Sequence, residues 1–298
     1  MDKWANLEFI DLVETSLAGF GTGALMALTG VAFVIIYKAT KVINLAIGEM
    51  LMVGAFVFYG FSAGLALPIW ASIPATLIVC ALVGGIIERT MIRPLMKDNP
   101  VSVFMVTIGL TSILIGLVEL IWSAEPRRLP EFLPQQPLIL WDAFVPSKTA
   151  YSFLISAVVV AVLITVFAFW RGGIALRATA TDRAAASSVG INVAGVFSFS
   201  WMLAAVVAGL AGILVGSVGG ISSAMGLFGL SVFVVVIVGG LDSITGALVA
   251  GLFVGWLEAM VGRLFGGEFK LLATFSILLI VLVVRPYGLF GTHEIERL

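Results

Sequence analysis

The chain has 298 residues, 61% hydrophobic and 11% charged, with a formal net charge of −1 and a mean hydropathy of +1.17. Soluble domains carry about 25% charged residues, so this composition excludes a water-facing surface, and the near-neutral balance offers no basic face for a nucleic acid. One cysteine, Cys80, and one histidine, His293, exclude a disulfide framework or a Cys/His metal cluster built within the chain.

In chain order, the first stretch carries Asp2, Glu8, Asp11 and Glu14 against Lys3, the wrong charge for a secretory signal, so the first apolar segment is expected to be retained. A helix needs about 20 apolar residues to cross a bilayer. On that measure spans are predicted at residues 17–37, 42–60, 69–87, 101–122, 151–170 and 193–215. A Gly- and Ser-rich stretch at 216–229 interrupts the pattern, 230–241 is too short to cross alone, and 244–261 and 271–284 follow. The fold class is therefore all-α: one transmembrane bundle over residues 1–298 with about nine membrane elements, some short or broken.

Lysine and arginine concentrate in cytoplasmic connections. With the N-terminus outside, Lys38, Lys41, Arg89, Arg93, Lys97, Arg171, Arg177, Arg183, Arg285 and Arg297 fall inside. Lys3, Arg127, Arg128, Lys148, Arg263 and Lys270 fall outside. Ten against six places the N-terminus on the periplasmic side and the C-terminus in the cytoplasm. The Pro-rich connection 123–148, with Trp122 and Trp141 near its ends, is then a periplasmic cap or docking surface.

No lysine follows a glycine anywhere in the chain, so a phosphate-cradling Gly-Lys-Ser/Thr loop is impossible and ATP must be handled by another chain. The sequence lacks a Gly-x-Ser-x-Gly elbow and the usual nucleophile and base sets, which disfavours a membrane enzyme. Residues 171–192 form a connection too polar to span and too long for a simple turn. Their Ala-rich middle, 174–189, predicts one short helix with Gly190 as its stop. With Arg177, Asp182 and Arg183 along it, this helix reads either as a lever for a cytoplasmic partner or as a solvated re-entry loop.

Glu49 is the only charge between Lys41 and Glu88. Facing lipid would cost it about 2.5–3.5 kcal/mol, so it is expected to face the bundle about two turns inside the second helix. There it serves as a pathway or gating group near Asn44, or as a carboxyl bonded to a neighbouring helix. Glu119 and Glu258 lie about one turn from outer helix ends, where reaching the headgroups is easy. Two interrupted elements, around 44–54 and 219–229, fall in the two halves of the chain, and transporters often place solute contacts at such paired breaks. This makes Asn44, Glu49, Ser222 and Ser223 the pathway candidates. The turn 239–246, with Asp242 and Ser243, reads as a helix cap. An ion-coupled carrier or channel is the alternative; it predicts buried paired charges, and only Glu49 is deeply placed. The many helix-breaking glycines argue against a rigid scaffold.

Five blocks, GALMALTGVAFVIIYKATKVINLAIGEMLMVGA, IERTMIRPLM, GGIALRATATDRAAASSVGIN, VVIVGGLDSITGALVAG and RPYGLFG, run from Gly19 to Gly291. In order and spacing they resemble the LivH-type permeases of bacterial branched-chain amino acid ABC importers. The resemblance implies the permease fold of that family, shared with ribose-type permeases, in the bacterial inner membrane. It implies a second, LivM-type permease, two cytoplasmic ATPase subunits that handle ATP and Mg, and a periplasmic solute-binding protein. No cofactor is implied in this chain. In the family the block matching residues 171–192 docks on the ATPase, which adds Ile191 and Asn192 to Arg177, Asp182, Arg183 and Gly190 as coupling candidates. Where the family commonly reads Asn-Phe-Ala-His-Gly-Glu, this chain has Leu45 and Ile47 in place of the aromatic residue and the histidine. The implied solute class is accordingly branched-chain amino acids or related small organic solutes, urea and amides among them.

Overall fold

The computed structural model describes residues 2–96, 100–140 and 143–292, with side chains described for 9–96, 101–139 and 143–292. Lys97, Trp141, His293 and Arg297 lie outside the described residues, as do the side chains of Asp2, Lys3 and Glu8. The helices are α1 (Asp2–Thr40), α2 (Ile47–Tyr59), α3 (Ile69–Ile87), α4 (Arg93–Leu95), α5 (Pro100–Trp122), α6 (Ser147–Phe169), α7 (Arg171–Thr181), α8 (Arg183–Ser188), α9 (Val193–Gly219), α10 (Phe228–Gly239), α11 (Ile244–Leu264) and α12 (Phe269–Val284). π-Helical turns at Gly60–Gly64 and Glu88–Ile92 extend α2 and join α3 to α4. A small antiparallel hairpin, β1 (Leu138–Leu140) and β2 (Ala143–Val145), sits before α6.

Among the described residues seven helical stretches are long and apolar enough to cross a membrane, and two apolar helices, Ser223–Gly239 and Phe269–Val284, are shorter. The chain is a multi-pass membrane protein of the expected kind. Its layering follows from burial. The apolar window of α1 is 89% buried, against 22% in α3 and 28% in both α5 and α6, so α1 is the axis and the others present apolar faces outward. Leu120, Phe169 and Val283 are among those left exposed, as a lipid-facing surface requires.

Glycines let the central helices touch backbone to backbone, the packing that lipid favours where it supplies no hydrophobic drive between helices. A Cβ added at Gly23 would meet the Gly251 carbonyl oxygen and Leu252, and one added at Gly251 would meet Ala27; Gly19 packs on Trp256 and Ala259 in the same seam. This fixes α1 against α11. In the same way Gly54 of α2 lies on Gly209 of α9, and Gly84 of α3 lies on Trp201 and Ala205 of α9.

Two faces can be told apart by contacts between chain-distant ends. On one, Asp11 pairs with Arg263 at 2.6 Å and Glu14 accepts the Phe144 N–H at 2.7 Å. On the other, Arg183 donates to the Thr40 carbonyl at 2.7 Å, and Asp242 takes both the amide and the hydroxyl of Thr292. The second face holds α7 and α8, and Lys38, Lys41, Arg89, Arg93, Arg171, Arg177, Arg183 and Arg285 lie at the helix ends and connections of that face.

Three expectations need correction. α1 begins far before residue 17, at Asp2. The second helix begins at Ile47 rather than residue 42, because Lys41 turns into the left-handed region at φ 57° and residues 41–44 leave the helix. Residues 174–189 are not one helix: Asp182, at φ −153° and ψ 113°, ends α7 and starts α8.

Candidate functional site

The site is built from the two interruptions. Between α1 and α2 the chain is unwound, and unwound backbone at membrane depth must find partners inside the protein. Thr107 of α5, fully buried, supplies them: its hydroxyl, shared with the Phe104 carbonyl of its own helix at 2.8 Å, reaches the Ile43 carbonyl at 3.2 Å and accepts the Leu45 N–H at 3.4 Å. Asn44 closes the remaining turn through its own side chain, which accepts the Ala46 N–H at 3.1 Å and donates to Met50 Sδ at 3.3 Å. Asn44 is thus fully buried and used by the backbone around it.

The second interruption lies between α9 and α10. Gly220 turns the chain at φ 81°, Ile221 exchanges two backbone hydrogen bonds of 2.8 Å with Arg127, and a 3₁₀ turn at Ser223–Leu227 leads into α10. Arg127 comes from the connection after α5, which lies across this break as a strap. Its guanidinium donates to Tyr59 Oη at 3.0 Å and to the Trp122 carbonyl at 2.8 Å, and sits 5.2 Å from the centre of the Tyr59 ring. Leu129 of the strap is buried beside Gly216 and Ile221.

The two interruptions meet. A Cβ at Gly48, the second residue of α2, would collide with the Gly226 carbonyl and with Gly229, the second residue of α10. The helices run in opposite senses across the bundle, since α2 leaves the α7 face and α10 returns to it. Two helix N-termini therefore abut inside the protein, one from each half of the chain. Glu49 stands there, in the first turn of α2 rather than two turns in, 8% exposed. Its carboxyl lies against Gly226, where a Cβ would come within 2.6 Å of Oε1, and its Oε2 has no hydrogen-bond partner. Both expected readings of Glu49 faced it inward, and it does face inward, but no neighbouring helix satisfies that oxygen.

Ser222 and Ser223 lie at the start of the 3₁₀ turn, half-buried, where Ser222 provides a carbonyl to Met225. The residue packed on the Glu49 carboxyl is Gly226 of the turn, and Gly229 packs on Gly48 beside it. Their spacing gave no such signal, because a glycine needed for a close approach looks the same in sequence as one needed for a bend. Thr107 was missed for a similar reason: its partners are 62 and 64 residues away.

The coupling candidates are placed as follows. Arg177 donates to the Phe167 carbonyl at the end of α6 at 2.6 Å, and Arg183 donates to Thr40 at the end of α1 while stacking 5.3 Å over Phe197. Asp182 caps α8, accepting from Ala184 and Ala185. Gly190, at φ 87°, stops α8 in the left-handed conformation expected of it. Asn192 caps α9 through Gly195 and Ile191 returns a backbone bond to Ala186. Arg177 and Arg183 hold the segment to the bundle, and Asp182 shapes the segment itself. The exposed side of the segment is mixed, with Arg171, Arg177, Asp182 and Arg183 on it, and it carries two large apolar side chains, Ile174 and Val189, which are 54% and 75% exposed. A cavity of about 720 Å³ separates α7 from α1, α6 and the start of α11, lined by Lys38, Lys41, Phe167, Leu176 and Asp242 among others.

Two further polar clusters bind helices together. Glu88, fully buried, takes two hydrogen bonds from Arg93 at 2.8 and 2.9 Å and one from Ser198 at 2.9 Å. Glu258 does not reach the headgroups as expected: its Oε1 accepts from Ser231 at 2.9 Å and Thr274 at 2.7 Å, which joins α10, α11 and α12. Hydroxyls on two neighbouring helices hold it inward. Ser243 caps α11, as the turn 239–246 predicted.

A glycine-seamed bundle with paired, oppositely directed helix breaks at its centre is the architecture of a membrane transporter, and the comparisons agree. The family model for the branched-chain amino acid transport system permease component matches residues 16–284, and the chain belongs to that family. It is 27% identical to the high-affinity branched-chain amino acid transport system permease protein LivH of Escherichia coli K12, over 97% of this chain and 99% of that one. It is 28% identical to BraD of Pseudomonas aeruginosa, with the same coverage. The probable branched-chain amino acid transport permease protein LivH of Methanocaldococcus jannaschii is 30% identical over 92% of this chain and 91% of its own length. Among solved structures, PsaBC from Streptococcus pneumoniae in complex with Fab matches with a TM-score of 0.52 and 14% identity, over 94% of this chain and 96% of that one; this likeness concerns the fold.

Proposed function

We propose that this chain is the membrane-crossing subunit of an ATP-driven importer in the bacterial inner membrane, carrying branched-chain amino acids or a related small organic solute. The α7 face is cytoplasmic and the strap face periplasmic, in accord with the lysine and arginine distribution. A LivM-type permease pairs with it across the membrane, two ATPase subunits bind below with ATP and Mg, and a periplasmic binding protein delivers solute to the strap face.

One observation carries this reading: α8 is tied through Arg183 to the Thr40 carbonyl, the last residue before the unwound segment that leads to Glu49. A push on α7 and α8 from ATPase closure is delivered where the backbone lacks a helical ladder, and the cavity above α7 gives the segment room to move. Ile174 and Val189 offer the engine an apolar contact on the outward side. Alternating access follows: motion of α7 and α8 shifts the unwound segment, separates the two abutting N-termini, and transfers the opening from one face to the other.

The test is the double variant Ile174→Asp with Val189→Asp in the full complex. Both positions face away from the bundle, so the permease is expected to fold and pair with its partner permease while the ATPase subunits no longer co-purify. Undiminished co-purification together with undiminished ATP-driven leucine uptake into proteoliposomes would remove the coupling role from this segment.

A further inference from the structure

We infer that Glu49 is the receptor for the protonated amine of a zwitterionic solute, and this rests on the importer reading above. Glu49 has one carboxyl oxygen without a donor, in a side chain 8% exposed. Among the described residues no lysine or arginine forms an ion pair with it. Buried carboxylates elsewhere in this protein are provided for: Glu88 takes three hydrogen bonds from protein groups. An orphan acceptor in such a place is costly to keep, and a donor that comes and goes would satisfy it.

Its surroundings define that donor. Oε1 is pressed on Gly226, so the room for the carboxyl exists because position 226 has no side chain. Gly226 belongs to the break before α10, Gly229 to the first turn of α10 and Gly48 to the first turn of α2, so the seal over Glu49 is made where two elements end. Parting those ends opens a gap beside the Glu49 carboxyl. The first i−4 bond of α2 is donated by the Met50 N–H to the Ala46 carbonyl, so the N–H groups before it have no helical acceptor, and the positive end of the helix favours an anion. A gap that pairs one carboxylate with a helix N-terminus is complementary to a molecule carrying an ammonium beside a carboxylate. The chemistry of an α-amino acid meets both halves; a neutral amide meets each only weakly, without charge assistance.

The experiment uses the complete transporter with its binding protein in proteoliposomes, with L-leucine and urea as radiolabelled probes. Glu49→Gln preserves volume and removes the charge, and Glu49→Asp restores a shorter carboxylate. The expected result is ATP-driven leucine uptake reduced about tenfold or more in Glu49→Gln, the size of a lost charge-assisted hydrogen bond, with Glu49→Asp recovering part of it. Uptake in Glu49→Gln within about twofold of wild type overturns the assignment. Should Glu49→Gln fail to co-purify with its partners, the wild-type complex is treated with a membrane-permeant carbodiimide and modification of Glu49 is read by peptide mass spectrometry. Leucine is expected to protect Glu49, and labelling indifferent to leucine overturns the assignment equally. A wild-type complex that moves urea with ATP but not leucine leaves the importer standing and removes the amine receptor. A complex that moves neither brings down the importer reading itself.

Discussion

Arg93→Ala would strand the fully buried Glu88 carboxylate with Ser198 as its remaining partner. Breaking a buried ion pair from one side costs about 3–5 kcal/mol. The lower end is expected here, because Arg93 itself is partly exposed. Adding Glu88→Gln to Arg93→Ala removes the uncompensated charge and is expected to recover most of that loss. Thermal unfolding of the four proteins in detergent, as a double-mutant cycle, checks both statements. At this scale the sequence was legible wherever charge was rare. Glu49 stood alone in a long apolar run, and its inward orientation followed from lipid energetics. The depth of Glu49 in its helix was not legible, since it depends on Lys41 turning at a positive φ, which nothing in its neighbours announces. Glu258 was misjudged because distance from a helix end suggests headgroups, whereas the deciding factor is two hydroxyls on other helices.

The connection between α6 and α9 shows how much rests on one cap. Asp182 ends α7 and caps α8. An N-cap aspartate replaced by alanine typically costs about 1 kcal/mol, while asparagine caps nearly as well. Asp182→Ala is therefore expected to loosen α8 and lower the ATPase rate stimulated by loaded binding protein, and Asp182→Asn to leave that rate close to wild type. A large loss in Asp182→Asn would mean that the charge, rather than the cap, matters. Residues 171–192 read correctly as a helical segment with Gly190 as its stop, because Ala-rich composition and a C-terminal glycine are strong local signals. The break at Asp182 was missed, although Thr181-Asp182 followed by an Ala run is itself the pattern of a new helix start. The inward use of Arg177 and Arg183 could not be read at all, for their partners are carbonyls at the ends of other helices.

At the level of the whole molecule, periodic apolar runs and glycine spacing were enough to place a multi-pass bundle and two paired breaks. That the breaks touch each other was not readable, because contact across about half the chain comes from how the halves pack. The strap gives the clearest test of motion. Arg127 and Ile221 exchange two backbone hydrogen bonds, which puts their Cα atoms about 5.5 Å apart, within reach of a disulfide. In a Cys80→Ala background, Arg127→Cys with Ile221→Cys is expected to cross-link under oxidation, to stop ATP-driven uptake, and to recover when reduced. Uptake indifferent to oxidant, with the bond confirmed by gel shift, would show that the strap need not lift.

The seam between α1 and α11 has a bearing on how such a molecule can move at all. Where glycines bring two backbones into contact, even a small slide drives main chain into main chain, so the first and penultimate crossings behave as a single girder. Within the core of the bundle, two places where the helical ladder is missing, residues 41–46 and 220–222, lie beside Glu49. Two interruptions and the acidic group thus share one spot, so a solute that settled there would sit at a pivot of the device that carries it.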